Sequence, residues 1–195
     1  MLNQNKIEPQ CFIDFKKNNS PKNYEKDCDH KVRECLREAL SNEQKGQCFY
    51  CEQEIKGSRI DHFIPRDAPN EKNIECNYYN LFLSCDKKES CDIKKGNKFD
   101  ESKYLRVFSN RYACENPSDF FDYTTRGKIK AKKILSDDKK LRATNTIELL
   151  NLNNSDLVKA RKTIFLNLKI YKDSGYDIDE IFTFFNEFES LFKGN

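Results

Sequence analysis

Residues 48–96 read CFYCEQEIKGSRIDHFIPRDAPNEKNIECNYYNLFLSCDKKESCDIKKG, and the predicted fold follows from this stretch. Two cysteine pairs enclose an Asp-His dyad formed by Asp61 and His62. Asn80 follows further along, and Asp92 comes directly after the last cysteine. Thiolates at short spacing are typical of a structural zinc site, whereas Asp, His and Asn side chains suit a separate hydrolytic centre. The stretch therefore predicts two sites of different chemistry inside one small unit.

The predicted zinc ligands are four cysteines near the two ends of this stretch: Cys48, Cys51, Cys85 and Cys91. The first pair is a CxxC, a spacing that also serves redox chemistry, but a second pair downstream makes zinc the better interpretation. The second pair is C-x5-C and not the more usual C-x2-C. Two alternatives therefore stay open: a site in which Cys76 replaces one ligand, and a unit without metal.

The secondary structure predicted for the stretch is strand, loop, strand and helix. Residues 58–63 form a short strand that Pro65 prevents from continuing. Residues 78–84 are aromatic and apolar enough for a half-buried second strand. A helix over residues 91–99 follows, and Gly96 shortens or breaks it. Because the cysteines enclose these elements, the pattern predicts a ββα unit with a metal-binding turn.

The polar side chains of the unit suit phosphodiester hydrolysis, which needs a base to activate water and a cation to neutralise charge on the phosphate. His62 suits the first task because its ordinary pKa of about 6.5 leaves it largely neutral at cellular pH. Asp61 and Asp92 offer the hard oxygen ligands that Mg²⁺ or Mn²⁺ prefers. The side chains of adjacent strand residues point to opposite faces of the sheet. Asp61 and His62 can therefore act together only where the strand twists or ends. The amide of Asn80 can hold the histidine in place.

Two groups of basic residues could meet nucleic acid. Arg66, Lys94 and Lys95 lie close to the dyad and the last cysteine, where they could contact phosphate oxygens. Residues 126–142, RGKIKAKKILSDDKKLR, carry eight basic and two acidic side chains. Such a run is usually a solvated face, although beside a nuclease core it also suits backbone contacts. The net charge of +3 balances 35 basic against 32 acidic residues, so any nucleic-acid surface must be a local patch.

The rest of the chain is predicted to be helical, apart from an extended arm over residues 1–20 and an irregular aromatic segment over residues 104–123. The predicted helices cover residues 24–44, 137–151, 155–172 and 177–193. Cys28 and Cys35 fall on the buried stripe of the first helix, so we expect core thiols. The second and third helices should pack together as a hairpin. The aromatic last helix suits burial or the docking of a partner subunit.

Length and cysteine count limit the class of protein. With 195 residues the chain can bury a real core, and we expect one compact unit of three segments. These are an N-terminal arm and helix (1–46), the core (47–100), and an irregular segment with C-terminal helices (101–195). The nine cysteines are odd in number, and neither a secretory signal nor a membrane span is visible. We therefore expect a cytoplasmic protein with reduced thiols and no disulfide framework.

The segments CFYCE, IDHFIPR, YYNLFLSC and CDIKKGN resemble the HNH nuclease motif of the ββα-metal superfamily. The resemblance implies an α+β, mostly helical fold, with a zinc-held ββα-metal core embedded in flanking helices. It also implies that His62 is the general base, that Asn80 orients this base, and that Asp61 and Asp92 hold Mg²⁺ or Mn²⁺. Asp92 departs from the His or Asn usual at the third motif position, so Asn97 stays open as the alternative ligand.

The flanking sequences NEQKGQCFYCEQEI and TIELLNLNNSDLVKAR resemble the HNH proteins of retrons and of Septu anti-phage systems. This resemblance implies a DNA endonuclease that acts as the effector of a defence complex with an ATPase subunit. The chain has no GxxxxGK[ST] loop, so any ATP dependence must come from another chain. Two alternatives stay open: a zinc-stabilised nucleic-acid-binding module without catalysis, and an HNH nuclease that cleaves RNA, including tRNA.

Overall fold

The computed structural model describes residues 1, 6–68, 74–109 and 112–176 of the chain. It has the predicted α+β fold, with a large helical share and two small sheets. The helices are α1 (Gln10–Asn19), α2 (Tyr24–Asp27), α3 (His30–Glu43), α4 (Cys91–Lys95), α5 (Asp137–Leu149) and α6 (Ser155–Asp173). The strands are β1 (Ser58–His62), β2 (Leu81–Cys85), β3 (Phe121–Tyr123) and β4 (Ile129–Ala131). Strand β1 pairs antiparallel with β2, and β3 pairs antiparallel with β4.

Helix α1 replaces the extended arm that was predicted for the N-terminus. Its polar residues are mostly tolerated in helices, and burial of one narrow apolar face is enough to hold it. Phe12 is fully buried and stacks on Phe15, three residues later, with ring centroids 6.1 Å apart. The prediction was wrong because two aromatic residues on one face are too few to give a clear periodic signal.

The single helix predicted over residues 24–44 is broken into α2 and α3. Cys28 and Asp29 adopt extended backbone conformations between the two helices. The Asp29 carboxylate accepts a hydrogen bond from the Val32 N–H at 2.9 Å, which caps the start of α3. Arg33 reaches back and donates to the Cys28 carbonyl oxygen at 2.7 Å. A capping aspartate inside an otherwise periodic helix pattern was the signal for this break.

A disulfide joins Cys11 of α1 to Cys35 of α3, with the two Cα atoms 6.7 Å apart. The prediction of reduced thiols, with Cys35 as a core thiol, was therefore wrong for these two residues. The pairing depends on how α1 packs against α3, and no spacing in the sequence encodes that contact. Cys28, in contrast, is a buried free thiol as predicted.

The central unit has the predicted order of strand, loop, strand and helix. Its register places Ser58 opposite Cys85 and His62 opposite Leu81. The second strand is shorter than predicted because residues 78–80 form a turn of 3₁₀ helix. Helix α4 ends at Lys95, where Gly96 has a positive φ of 50°. We expected this glycine to limit the helix, and it does.

Strand β2 lies between two hydrophobic cores and is buried along its whole length. Leu81 and Leu83 pack into a core formed with the N-terminal helices, whereas Phe82 packs into a larger core that reaches the C-terminal helices. Alternate residues of a strand point to opposite faces, so this arrangement buries both faces of β2. The central unit is therefore held from two sides.

The C-terminal half contains a β3–β4 hairpin that the sequence analysis did not predict. Helices α5 and α6 match the predicted residues 137–151 and 155–172 closely. They do not pack along each other as a helical hairpin, because α5 packs against β4. The predicted helix over residues 177–193 lies outside the described residues. Within the described part of the chain, no helix has the length and apolar character needed to cross a membrane.

Candidate metal and hydrolytic sites

The four predicted zinc ligands lie together. Their sulfur atoms are all within 4.8 Å of one another, and all four side chains are buried. Cys48 and Cys51 occupy a tight turn in which the Glu52 N–H donates to the Cys48 carbonyl oxygen at 2.8 Å. Cys85, at the end of β2, donates its backbone N–H to the Cys48 sulfur at 3.3 Å. The cluster can therefore hold a metal such as zinc.

Cys91 completes the cluster from the start of α4. The five residues between Cys85 and Cys91 form a loop, and Cys91 itself has a positive φ of 60°. Its N–H donates to the Leu150 carbonyl oxygen at 2.9 Å, so the cluster is also tied to the end of α5. Cys76, the alternative ligand, lies beside Cys28 and outside the cluster. The unusual spacing of the second pair is therefore accommodated without Cys76.

The chemistry of the cluster fits a divalent cation. Hydrogen bonding to Cys48, together with burial, raises the pKa of the Cys51 thiol and that of the Cys91 thiol. Four buried thiols at this distance cannot all ionise unless a cation compensates their charge. A bound zinc ion would supply that charge, and the N–H group of Cys85 already donates to the Cys48 sulfur.

Lys95 lies at the centre of the predicted hydrolytic site and not at its surface. Its ammonium group is 2.5 Å from the Asp61 carboxylate, 2.6 Å from the His62 carbonyl oxygen and 3.1 Å from that of Phe63. Tyr50 also bonds to the Asp61 carboxylate. Because Lys95 is only 1% exposed, the prediction that it contacts phosphate was wrong.

The placement of Lys95 follows from that of Cys91. Residues four apart lie on the same face of a helix, so a buried Cys91 at the start of α4 directs Lys95 inward. This spacing was visible in the sequence and could have identified Lys95 as an interior residue. Tyr50, in the CxxC, carried no such signal and was not predicted as part of the site.

The two predicted carboxylate ligands are brought together. Asp92 is half-buried at the start of α4, and its carboxyl group lies beside that of Asp61. Burial and the neighbouring Asp61 charge raise the pKa of Asp92 to about 6. Arg59 donates to the Asp92 carboxylate at 3.1 Å. The alternative ligand Asn97 instead donates to Asp67 at 2.7 Å, so Asp92 is the better candidate.

Among the described residues, only the cysteines form a set of three or more grouped Cys, His, Asp or Glu ligands. Asp61 and Asp92 are a pair, which can share a divalent cation only if water or substrate oxygens complete the coordination. Mg²⁺ sites commonly have this composition, since Mg²⁺ keeps several waters and uses one or two carboxylates. The two carboxylates, which also contact Lys95 and Arg59, could therefore supply at most two ligands of such an ion.

His62, at the end of β1, is buried and held in one orientation. Its Nε2 lies 2.8 Å from the Glu75 carbonyl oxygen, and the ring packs edge-on against Tyr24 with centroids 5.0 Å apart. Burial lowers the pKa of His62 to about 4, so the imidazole is neutral at cellular pH. A carbonyl oxygen only accepts hydrogen bonds, so the ring proton resides on Nε2. The Nδ1 lone pair makes no hydrogen bond to a described residue and can accept a proton.

Asn80 positions the histidine through the backbone. Its amide accepts from the Ile64 N–H at 2.8 Å and donates to the Ile64 and Ile74 carbonyl oxygens at 3.0 and 3.2 Å. Ile74 precedes Glu75, whose carbonyl oxygen holds the ring of His62. Asn80 therefore ties the end of β1 to the segment that orients the imidazole, without touching the ring itself.

The other two predicted phosphate contacts lie at the surface. Arg66 is exposed and forms an ion pair with Glu25 at 2.9 Å. Lys94 is exposed on α4 and forms no ion pair with another described residue. Both side chains can reach solvent, as a phosphate contact requires, whereas Lys95 cannot.

No protein-family model matches the chain, and no curated protein matches it either. The fold and the sites define an α+β protein with a buried four-cysteine cluster that can hold a metal. A carboxylate pair, in which Asp61 is buried and Asp92 half-buried, and a neutral histidine lie on the strand and helix that this cluster joins. Any function must therefore be argued from these side chains.

Proposed function

We propose that the chain is a metal-dependent HNH endonuclease that hydrolyses DNA phosphodiester bonds. The observation that carries the proposal is the pairing of Asp61 with Asp92, on a strand that also carries a neutral histidine whose ring is fixed by Glu75. Paired carboxylates suit a divalent cation, and a neutral imidazole suits a base. Zinc in the cysteine cluster has a structural role, because all four of its ligands come from the chain and leave no open position.

Asp61 and Asp92 would hold Mg²⁺ or Mn²⁺, which neutralises charge on the phosphate and the leaving oxygen when bound. His62 accepts the proton of the attacking water at Nδ1. Its pKa of about 4 keeps this nitrogen deprotonated at physiological pH and also makes the imidazole a weaker base than one with a pKa near 7. Asn80 positions the base through Glu75, and Lys95 fixes the side chain of Asp61.

A second candidate is a zinc-stabilised module that binds nucleic acid without cutting it. The burial of the site favours this alternative, since Tyr24 covers the His62 ring and the Lys95 ammonium group bonds to the Asp61 carboxylate. A nuclease that cleaves RNA is equally compatible with the same side chains. The resemblance to retron and Septu proteins supports DNA as the substrate, an ATPase subunit as the partner and the cytoplasm as the location.

Substitution of Asp92 separates these functions. We expect the zinc-loaded wild type to cleave plasmid DNA with Mg²⁺ or Mn²⁺, and Asp92→Asn to slow cleavage by about 100-fold or more, because one ligand of the cation is lost. Asp119→Asn, at an exposed carboxylate outside the site, is the matched control and should cut at the wild-type rate. The assay is run in parallel on single-stranded DNA, RNA and tRNA.

Each outcome of this assay assigns a function. Cleavage of RNA or tRNA in preference to DNA would replace the proposed substrate while keeping the site. Binding without cleavage of any of these substrates, with the ATPase partner present, would establish the binding module and refute the nuclease. Equal cleavage by Asp92→Asn and the wild type would remove Asp92 from the site.

A further inference from the structure

Lysines occupy alternate positions along β4 and the residues directly before and after it. Lys128, Lys130 and Lys132 alternate with Ile129, which is 3% exposed, and Ala131, which packs against the larger core. Lys128 and Lys130 are exposed and Lys132 is partly exposed. Alternate residues of a strand lie on the same side, roughly 7 Å apart. The outer face of β4 and its two flanking residues therefore carries three cations at alternate positions.

The row has little compensating charge. Five of the eight residues from 126 to 133 are basic and none is acidic. None of these five forms an ion pair with a described residue, whereas Arg142, later in the same basic run, is buried and paired with Glu115 at 2.7 Å. Asp122 lies opposite Lys130 in the hairpin register but is not within ion-pair distance of it. Asp137 and Asp138 begin the following helix, α5.

The turn of the hairpin is fixed against α6. Gly127 has a φ of 81°, and a side chain there would collide with the carbonyl oxygen of Val158. Arg161, in α6, donates to the Gly127 carbonyl oxygen at 2.7 Å. The tight approach needs glycine for both its conformation and its lack of a side chain. The turn therefore cannot move independently of the helix.

The strands are fixed as well. Asn153 accepts from the Ile129 N–H and donates to the Ile129 carbonyl oxygen, each at 2.9 Å. Tyr123 donates to Glu52 at 3.2 Å, next to the zinc ligand Cys51. The backbone that carries the lysines is thus fixed, which lowers the backbone entropy lost when the hairpin binds a partner.

We propose that the outer face of β4 binds the phosphate backbone of nucleic acid, with Lys128, Lys130 and Lys132 each contacting a phosphate. Evenly spaced cations on a fixed backbone, with no ion-pair partner among the described residues, match an anion with regularly repeated charges better than a single small anion. Phosphate contacts carry no base information, so this surface binds without sequence preference and positions the substrate. The inference rests on the proposed function in one respect only, namely that the substrate is a nucleic acid.

The test measures binding, separately from cleavage. The full-length, zinc-loaded His62→Ala protein is titrated onto a fluorescently labelled DNA duplex without Mg²⁺, over a series of salt concentrations. Neutralising three phosphates contributes a slope of about −2.7 to a plot of log K against log salt concentration. We expect the triple change Lys128→Gln, Lys130→Gln and Lys132→Gln to remove that contribution and to weaken binding by about tenfold or more at low salt.

The matched control neutralises three exposed lysines near the N-terminus: Lys17→Gln, Lys22→Gln and Lys31→Gln. It has the same net charge as the test variant and should keep the steep salt dependence. Equal slopes for the two triple variants would overturn the inference. Lysine-dependent binding to phosphatidylserine vesicles, with no binding to DNA or RNA, would also overturn it in favour of a membrane surface.

The experiment separates this inference from the proposed function. If the wild type cleaves DNA and the β4 variant binds like the control, the inference fails and the nuclease stands. If the wild type cleaves nothing while the β4 variant loses salt-dependent binding, the nuclease fails and the phosphate-binding surface stands.

Discussion

Replacing Cys48 or Cys91 by serine is expected to abolish zinc binding and unfold the central unit. Structural zinc contributes roughly 10–16 kcal/mol to folding in small zinc-binding peptides, which is as large as the whole stability of a typical domain. The cluster joins the CxxC turn, the end of β2 and the start of α4. The backbone N–H of Cys91 also donates a hydrogen bond to the Leu150 carbonyl oxygen. Metal analysis should find equimolar zinc in the wild type, and circular dichroism should show loss of cooperative melting in either variant.

Cys114→Ser is the control for the zinc prediction, because Cys114 is an exposed free thiol outside the cluster. It should keep both the zinc content and the melting temperature of the wild type. Removing zinc from the wild type with a strong chelator should reproduce the effect of Cys48→Ser. A Cys48→Ser protein that melts like the wild type without bound metal would contradict the structural role of the cluster.

Lys95→Met is expected to lower the free energy of unfolding by about 3–5 kcal/mol, because it leaves the buried Asp61 carboxylate without its counter-ion. It also leaves the carbonyl oxygens of His62 and Phe63 without their donor. The side chains of Lys95 and Asp61 are 1% and 8% exposed, so water cannot replace the lost contacts. Urea unfolding of the zinc-loaded protein measures the change.

Lys94→Met is the matched control, since Lys94 is the exposed neighbour on the same helix. It should change the free energy of unfolding by no more than about 0.5 kcal/mol. The double variant Asp61→Asn with Lys95→Met should be more stable than Lys95→Met alone, because no unpaired charge stays buried. If Lys95→Met unfolds at the same urea concentration as the wild type, Lys95 does not hold the site together.

The central unit could be predicted from the sequence because its signals are local. The spacing of the cysteines, the Asp-His dyad and Pro65 all lie within one stretch, and the structure brings the four cysteines together as expected. The C-terminal helix α6 was also predictable, since Asn154 caps it through the N–H groups of Asp156 and Leu157. In each case the residues that specify the element are close in sequence.

The errors arise where contacts between distant segments decide the outcome. The disulfide between Cys11 and Cys35 depends on the packing of two helices, and α1 itself is held by the burial of Phe12. The β3–β4 hairpin was missed because its strands have three residues each and the basic run hides the alternation around Ile129. Tertiary packing, which single-sequence patterns do not carry, determines these features.

The interior position of Lys95 is an error of a different kind. The sequence places it four residues after Cys91, and that spacing predicts a shared helix face. The charge of Lys95 favours a position at the surface. Its spacing of four residues from Cys91 instead predicts a position on the buried face of the helix. For a charged residue one helical turn after a predicted metal ligand, the position on the helix predicts burial better than the charge does.

The most direct test of the proposed nuclease is Mg²⁺- or Mn²⁺-dependent cleavage of plasmid DNA by His62→Ala, compared with the wild type and with His30→Ala. His30 is exposed on α3, where its ring lies 3.4 Å from the Glu34 carboxylate, and it is not one of the proposed site residues. With zinc content and melting temperature unchanged, His62→Ala should cut about 100-fold or more slowly than the wild type, and His30→Ala should cut normally. Equal rates for His62→Ala and the wild type would contradict the assignment of the base and of the site built around it.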